Sequence, residues 1–143
     1  MSDPYDLERF VSAQRQTFEQ ALAELNAGQK RSHWMWFIFP QLAGLGQSEM
    51  AWRYGISNLG EARAYWQHDV LGPRLRDCMQ AVLPHAGRGV RQIFGTPDDL
   101  KLCSCLTLFK EAAPDEPVFQ KMLDAFFGGK TDSRTLSRLR AVV

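Results

Sequence analysis

Lys30 to Gly55, KRSHWMWFIFPQLAGLGQSEMAWRYG, is the stretch whose reading decides the fold. Its apolar centre, Trp34–Phe39, has two readings. As a buried strand it would bring a sheet into the chain; as a short helix it leaves the chain all-α. The run has no strict alternation of apolar and polar positions, which a half-buried strand would show. Phe39-Pro40 closes it, because the residue before proline is pushed out of the α region. Ser32 can cap a short helix through Trp34–Phe37, and Gln41 to Gly46 reads as a loop. Ser48 with Glu49 then opens a second short helix that closes at Gly55.

On the N-terminal side, Asp3-Pro4 places a capping carboxylate before a proline at the first helical position. Leu7, Phe10, Val11, Phe18, Ala21, Leu22 and Leu25 follow one apolar helical face, and Gly28 supplies the stop. The spacing predicts one helix over about residues 4–27, with Gln14 as the point where it bends. On the C-terminal side, Asn58 and Glu61 have capping-box spacing, and Asp69 is read as the cap of a longer helix ending near Pro84 and Gly87. Val90–Phe94 forms a short turn of helix. Thr96-Pro97-Asp98-Asp99 then starts a helix reaching Ala112, with two acids at the positive end of its dipole. Asp115 and Asp132 open the last two helices. The predicted fold is all-α, a compact multihelical single domain over residues 1–143 with about seven or eight helices, several of them short.

Composition narrows the function classes. Hydrophobic residues make up 45% and charged residues 23%, as in a globular protein with a core. The net charge of +1 supplies no global field for nucleic acid or an anionic membrane. The basic C-terminal helix with Lys130, Arg134, Arg138 and Arg140 reads as a solvated face before it reads as a phosphate-tracking one. MSDPYDLERF has neither a basic start nor an apolar run, so no signal peptide is predicted and a cytoplasmic location is expected. Trp34–Phe39 falls far short of the ~20 residues that cross a bilayer. Of the three cysteines, Cys103 and Cys105 point about 200° apart on a helix, so they share neither a metal nor a disulfide. His33, His68 and His85 form no ligand spacing, no HExxH and no P-loop accompany them, and neither metal nor cofactor is expected.

The candidate site lies in the opening stretch, where polar residues sit among three of the four tryptophans. His33 and Glu49 are the candidate acid–base groups. Trp34 and Trp36 offer rings for stacking, while Gln41, Arg53 and Tyr54 offer polar contacts. On the helix after Thr96, Asp98, Lys101, Ser104 and Thr107 form a slowly drifting polar stripe, and Asp99 stands beside it. The expectation is that this stripe meets the polar members of the opening stretch. Glu49 and Arg53, four apart, also read as a simple surface pair.

HWMWFIFPQLAGLG at 33–46, YGI at 54–56, EARAYW at 61–66, IFGTPDDLK at 93–101 and TLF at 107–109 together resemble a bacterial family of uncharacterised helical proteins, domain-of-unknown-function family 1810. The resemblance covers nearly the whole chain and implies a small multihelical fold with no established activity. It singles out His33, Trp34, Trp36, Pro40, Gln41, Gly46, Ser48, Tyr54, Asp99, Lys101, Ser104 and Thr107. The chain departs from the family's pattern at Cys103 and Cys105, where a basic residue and a serine are usual, which weighs against a nucleophile there. Some family members carry a calpastatin label; such inhibitors are disordered, whereas 45% of this chain is hydrophobic.

Two functions remain from different classes. One is a pocket for a small, nucleotide-like ligand, with Arg53 or Lys101 on a phosphate. The other is an interaction module or homo-oligomer using an exposed aromatic and methionine patch. Whether the chain is an enzyme is left open by the residues alone.

Overall fold

The computed structural model describes residues 3–141. Ten α-helices and one 3-10 turn follow one another, with no strand among the described residues. They are α1 (Glu8–Gln14), α2 (Phe18–Asn26), α3 (Met35–Ile38), α4 (Glu49–Arg53), α5 (Leu59–Gln67), α6 (Leu71–Val82), α7 (Val90–Phe94), α8 (Asp98–Ala112), α9 (Pro117–Phe127) and α10 (Ser133–Ala141), with the 3-10 turn at Leu83–Arg88 between α6 and α7. The centre of Trp34–Phe39, Met35–Ile38, is therefore helical, and the strand reading is set aside. Seven of the helices have seven residues or more. The short α3, α4 and α7 fall where the sequence placed short helices, and the break at Gln14 divides the predicted first helix into α1 and α2.

The break has a physical cause. Gln14 is buried, and its side-chain amide donates to the Phe37 carbonyl at 2.7 Å and to the Tyr65 hydroxyl at 3.1 Å. Arg74 donates to the same side chain's oxygen at 3.3 Å. An amide held by three elements anchors the end of α1, and the chain turns through residues 15–17 before α2 begins. Gly28 then ends α2 at a φ of +71°, a region that side chains with a Cβ rarely enter.

α8 lies at the centre. Residues 104–109 are buried in succession, so the helix has core on every side, and it packs against α5, α7, α9 and α10. α6 packs on α2 and α5, and α1 packs on α3. Aromatic rings fill the space between them: Phe10 lies edge-on to Tyr65, Tyr65 to Phe109, and Phe109 stacks on Phe119. The segment from Gln41 to Ile56 closes on itself through a single parallel bridge, with Ala43 N–H donating to Ile56 O and Ile56 N–H to Gln41 O. Arg9 ties that segment to α1 and α5. Its guanidinium donates to Arg53 O, Gly55 O, Tyr5 O and Asp6 O, and to the Glu61 carboxylate at 2.8 Å. The group's donors are thereby fully used in a largely buried pair.

Several caps follow the local sequence. Ser48 accepts from Ala51 N–H, Asn58 from Glu61 N–H, and Asp132 from Thr135 N–H. Two differ. Asp69 does not cap α6; the His68 Nδ1 accepts from Val70 and Leu71 N–H instead. Ser32 does not cap α3, because its hydroxyl is drawn to Glu24. No described helix is long and apolar enough to cross a membrane.

Gly72 gives the sharpest test of this packing. A Cβ there would run into the backbone carbonyl oxygen of Trp66, where α5 hands over to α6. Backbone cannot swing aside as a flexible side chain can. Gly72→Ala should cost about 3 kcal/mol or more in chemical denaturation; an unchanged midpoint would mean that the two helices are not in this contact.

Candidate functional site

A cleft of about 300 Å³ opens between the segment that enters α3 and the start of α8. It is lined by Lys30, His33, Met35, Trp36, Thr96, Pro97, Asp98 and Lys101. Its first wall is set by one carboxylate. Glu24 sits on the inner face of α2, in line with Ala21 and beside Leu25, and is only 8% exposed. Its Oε1 accepts from Arg31 N–H at 2.8 Å, Ser32 N–H at 3.0 Å and Trp34 Nε1–H at 3.0 Å. Its Oε2 accepts from the Ser32 hydroxyl at 2.7 Å and from Gln20 at 3.2 Å. Burial alone would raise this carboxyl, but the donors win and hold it down at about 2. Three residues of an otherwise irregular segment, Arg31, Ser32 and Trp34, are thus pinned to α2, which leaves Lys30 and His33 at the cleft.

The second wall is the first turn of α8. Asp98 places Oδ2 at 2.8 Å from Lys30 Nζ and Oδ1 at 3.8 Å from Lys101 Nζ. Each ammonium lies over an indole, Lys30 over Trp34 at 4.9 Å and Lys101 over Trp36 at 5.1 Å. Lys30 also donates to Ser32 O at 2.5 Å, and its side chain is only 6% exposed. Two Trp–Lys pairs therefore flank one carboxylate. Trp36 is half-buried, and its Nε1–H is shielded from solvent with no acceptor among the described residues.

The structure distributes the residues singled out above among several places. His33, Trp36 and Lys101 share the cleft. Trp34 stands behind it, fully buried with its indole committed to Glu24, so its ring offers no open face. Glu49 and Arg53 do not line the cleft; both are exposed on α4 and form no ion pair with each other among the described residues. Tyr54 is buried against Phe10 and Phe37, and Gln41 contributes its backbone carbonyl to the bridge. Asp99 takes the Thr96 hydroxyl and Leu100 N–H at the start of α8. Ser104 and Thr107 lie farther along, where Ser104 donates to the Asp132 carboxylate at 3.2 Å and Thr107 accepts from Asp132 N–H at 2.8 Å. The polar stripe thus divides, its first turn facing the cleft and the rest seating α10. Arg134 and Arg138, read as solvated, donate to Leu45 O and Ala43 O and hold α10 to the loop. Lys30 and Glu24 were missed. A carboxylate on an apolar helix face was the available sign for Glu24, while Lys30 carried none. Among the described residues no group of three or more His, Cys, Asp or Glu is placed to hold a metal ion.

The chain matches, over residues 4–139, the family described as Protein of unknown function (DUF1810). It belongs to the DUF1810 family. The crystal structure of the conserved hypothetical protein Rv1873 from Mycobacterium tuberculosis superposes on it with a TM-score of 0.94 at 54% identity, covering 96% of this chain and 99% of that one. No curated protein matches. The fold shared with this DUF1810 relative is all-α, and neither the family nor the relative carries an assigned activity.

Glu24 supplies a pH test. A carboxyl whose folded value lies below its ordinary 4.5 contributes stability above that pH, and the contribution is lost as pH falls toward 2. Linkage puts it at about 3 kcal/mol. Wild type should therefore exceed Glu24→Gln by about that amount in denaturation at pH 7, with the gap closing between pH 4.5 and 2. A gap that stays constant down to pH 2 would show that the ionised carboxylate is not what holds the segment.

Proposed function

We propose that the protein binds a small molecule in the cleft between residues 30–36 and the start of α8. One observation carries this: His33, Trp36 and Lys101, from segments far apart in sequence, converge on a single concavity around Asp98. Its volume of about 300 Å³ is at the lower end for ligand sites, enough for a metabolite the size of a mononucleotide. Apolar surface from Trp36 and Pro97 alternates with Lys101 and His33, the mixed lining that such sites use.

Binding is better supported than turnover. The acid–base pair of His33 and Glu49 is not assembled, since Glu49 is on α4 outside the lining. The carboxylate that does line the cleft, Asp98, is engaged by Lys30. The cysteines offer no nucleophile either: burial pushes Cys78 up to about 12 and raises Cys103 and Cys105. Free thiols at all three positions fit the proposed cytoplasmic setting. A second reading, an interaction module or homo-oligomer, is favoured by Trp52, which is 83% exposed on α4.

A thermal-shift screen against nucleotides and NAD-related compounds tests the first reading, because a ligand of the native state raises the melting temperature by mass action. The expected result is a concentration-dependent rise that His33→Ala reduces and Glu49→Ala leaves intact, both positions being exposed enough to change without loss of the fold. The opposite pattern would move the site to α4. A panel without a hit, together with a dimer that Trp52→Ala dissociates in sedimentation, would favour the second reading.

A further inference from the structure

Resting on the cleft as a ligand site, we infer the chemical class of its ligand: an oxyanion, carboxylate or phosphate ester, attached to a small apolar or aromatic body. The inference comes from counting which polar groups at the cleft are already used. Lys30 is spent, with Asp98 Oδ2 at 2.8 Å, Ser32 O at 2.5 Å and the face of Trp34 around its three N–H bonds. The Thr96 hydroxyl is spent on Asp99. Lys101 is not. Its nearest carboxylate oxygen, Asp98 Oδ1, is 3.8 Å away, beyond hydrogen-bond reach, and it makes no hydrogen bond among the described residues. Its side chain is 25% exposed, so the ammonium is held at the cleft by Trp36 rather than free in bulk water. His33, at the rim, also makes no hydrogen bond among the described residues.

The unspent capacity is therefore dominated by donors. Asp98 and Asp99 match the two ammonium groups in number, but Asp98 is engaged by Lys30 and Asp99 by the Thr96 hydroxyl and Leu100 N–H, so the Lys101 ammonium is the charge at the cleft left without a hydrogen-bonded partner among the described residues. A cation would meet Lys101 and Lys30 unfavourably. A neutral ligand closing the cleft would strip water from Lys101 and return at most a bond to an uncharged acceptor. An oxyanion accepts from Lys101 and replaces the lost water with a charge-assisted bond. Trp36 and Pro97 supply the surface for the ligand's apolar part. Both indole faces that point toward ammonium groups are taken, so the body packs along the wall and does not stack between tryptophans.

The test is a titration of isotopically labelled protein with benzoate, phenyl phosphate and the neutral benzamide, followed by the backbone amides of residues 30–36 and 96–101 and the Trp36 indole N–H. Saturable shifts in that set are expected with the anions and not with benzamide, and the tighter anion names the headgroup. Lys101→Met should weaken anion binding about tenfold to a hundredfold, while Lys101→Arg retains it. Added sodium chloride should weaken it in the wild type, a measurement that needs no variant. Benzamide binding in the cleft as tightly as benzoate overturns the oxyanion assignment and leaves the cleft as a ligand site. Anions that shift Arg134 and Arg138 on α10 instead would remove both. Silence from every probe also overturns the assignment, since the lone ammonium would then have no affinity for the group it was inferred to hold.

Discussion

The Glu24 carboxylate is the interaction on which the cleft depends. Residues 29–34 have no helix or strand of their own to fix them, and the backbone N–H groups of Arg31 and Ser32 would otherwise need water. Five donors converge on one buried side chain instead. A buried carboxylate is costly unless its oxygens are filled, and here they are, which turns the cost into a constraint on geometry. The Trp34 indole is one of those donors, so the largest fully buried side chain of the core is oriented by the same group. Lys30, just before the clamp, then reaches Asp98 at the start of α8. Entry to α3 and entry to α8 are thereby linked through one ion pair.

α8 carries this link into the rest of the molecule. Its first turn belongs to the cleft, and its middle is core on all sides. Its polar positions Ser104 and Thr107 receive Asp132, the cap of α10. α10 in turn clamps the loop at 43–45 through Arg134 and Arg138. That loop is bridged to Ile56 and so to the segment gripped by Arg9. Polar side chains at element junctions, each satisfied, set how the short helices are arranged, while the aromatic interior supplies the apolar burial that favours the compact state.

What the sequence made legible was local. Ser48, Asn58 and Asp132 cap within three residues of themselves, and such signals can be read off a string. The all-α class followed from periodicity, and the bend at Gln14 from a polar residue in an apolar face. The failures share a different cause. His68 caps α6 with a ring nitrogen, a role outside the usual set of capping residues, so Asp69 was preferred. Glu49 and Arg53 have pairing spacing, but spacing does not say whether a helix face is buried, and α4 leaves both exposed. The Lys30–Asp98 pair joins segments that only the tertiary fold brings together. Half of the polar stripe looked like a site because serine and threonine under a neighbouring helix cap have the same pattern as serine and threonine facing a ligand.

The most direct test of the clamp is native-state hydrogen exchange at Arg31 N–H, Ser32 N–H and the Trp34 indole N–H, comparing wild type with Glu24→Gln at neutral pH. The account predicts slow exchange at all three in the wild type, and fast exchange in the variant while the amides of α6 and α8 stay protected. Equal protection at the three sites in both proteins would contradict it, because the segment would then be held by something other than the Glu24 carboxylate.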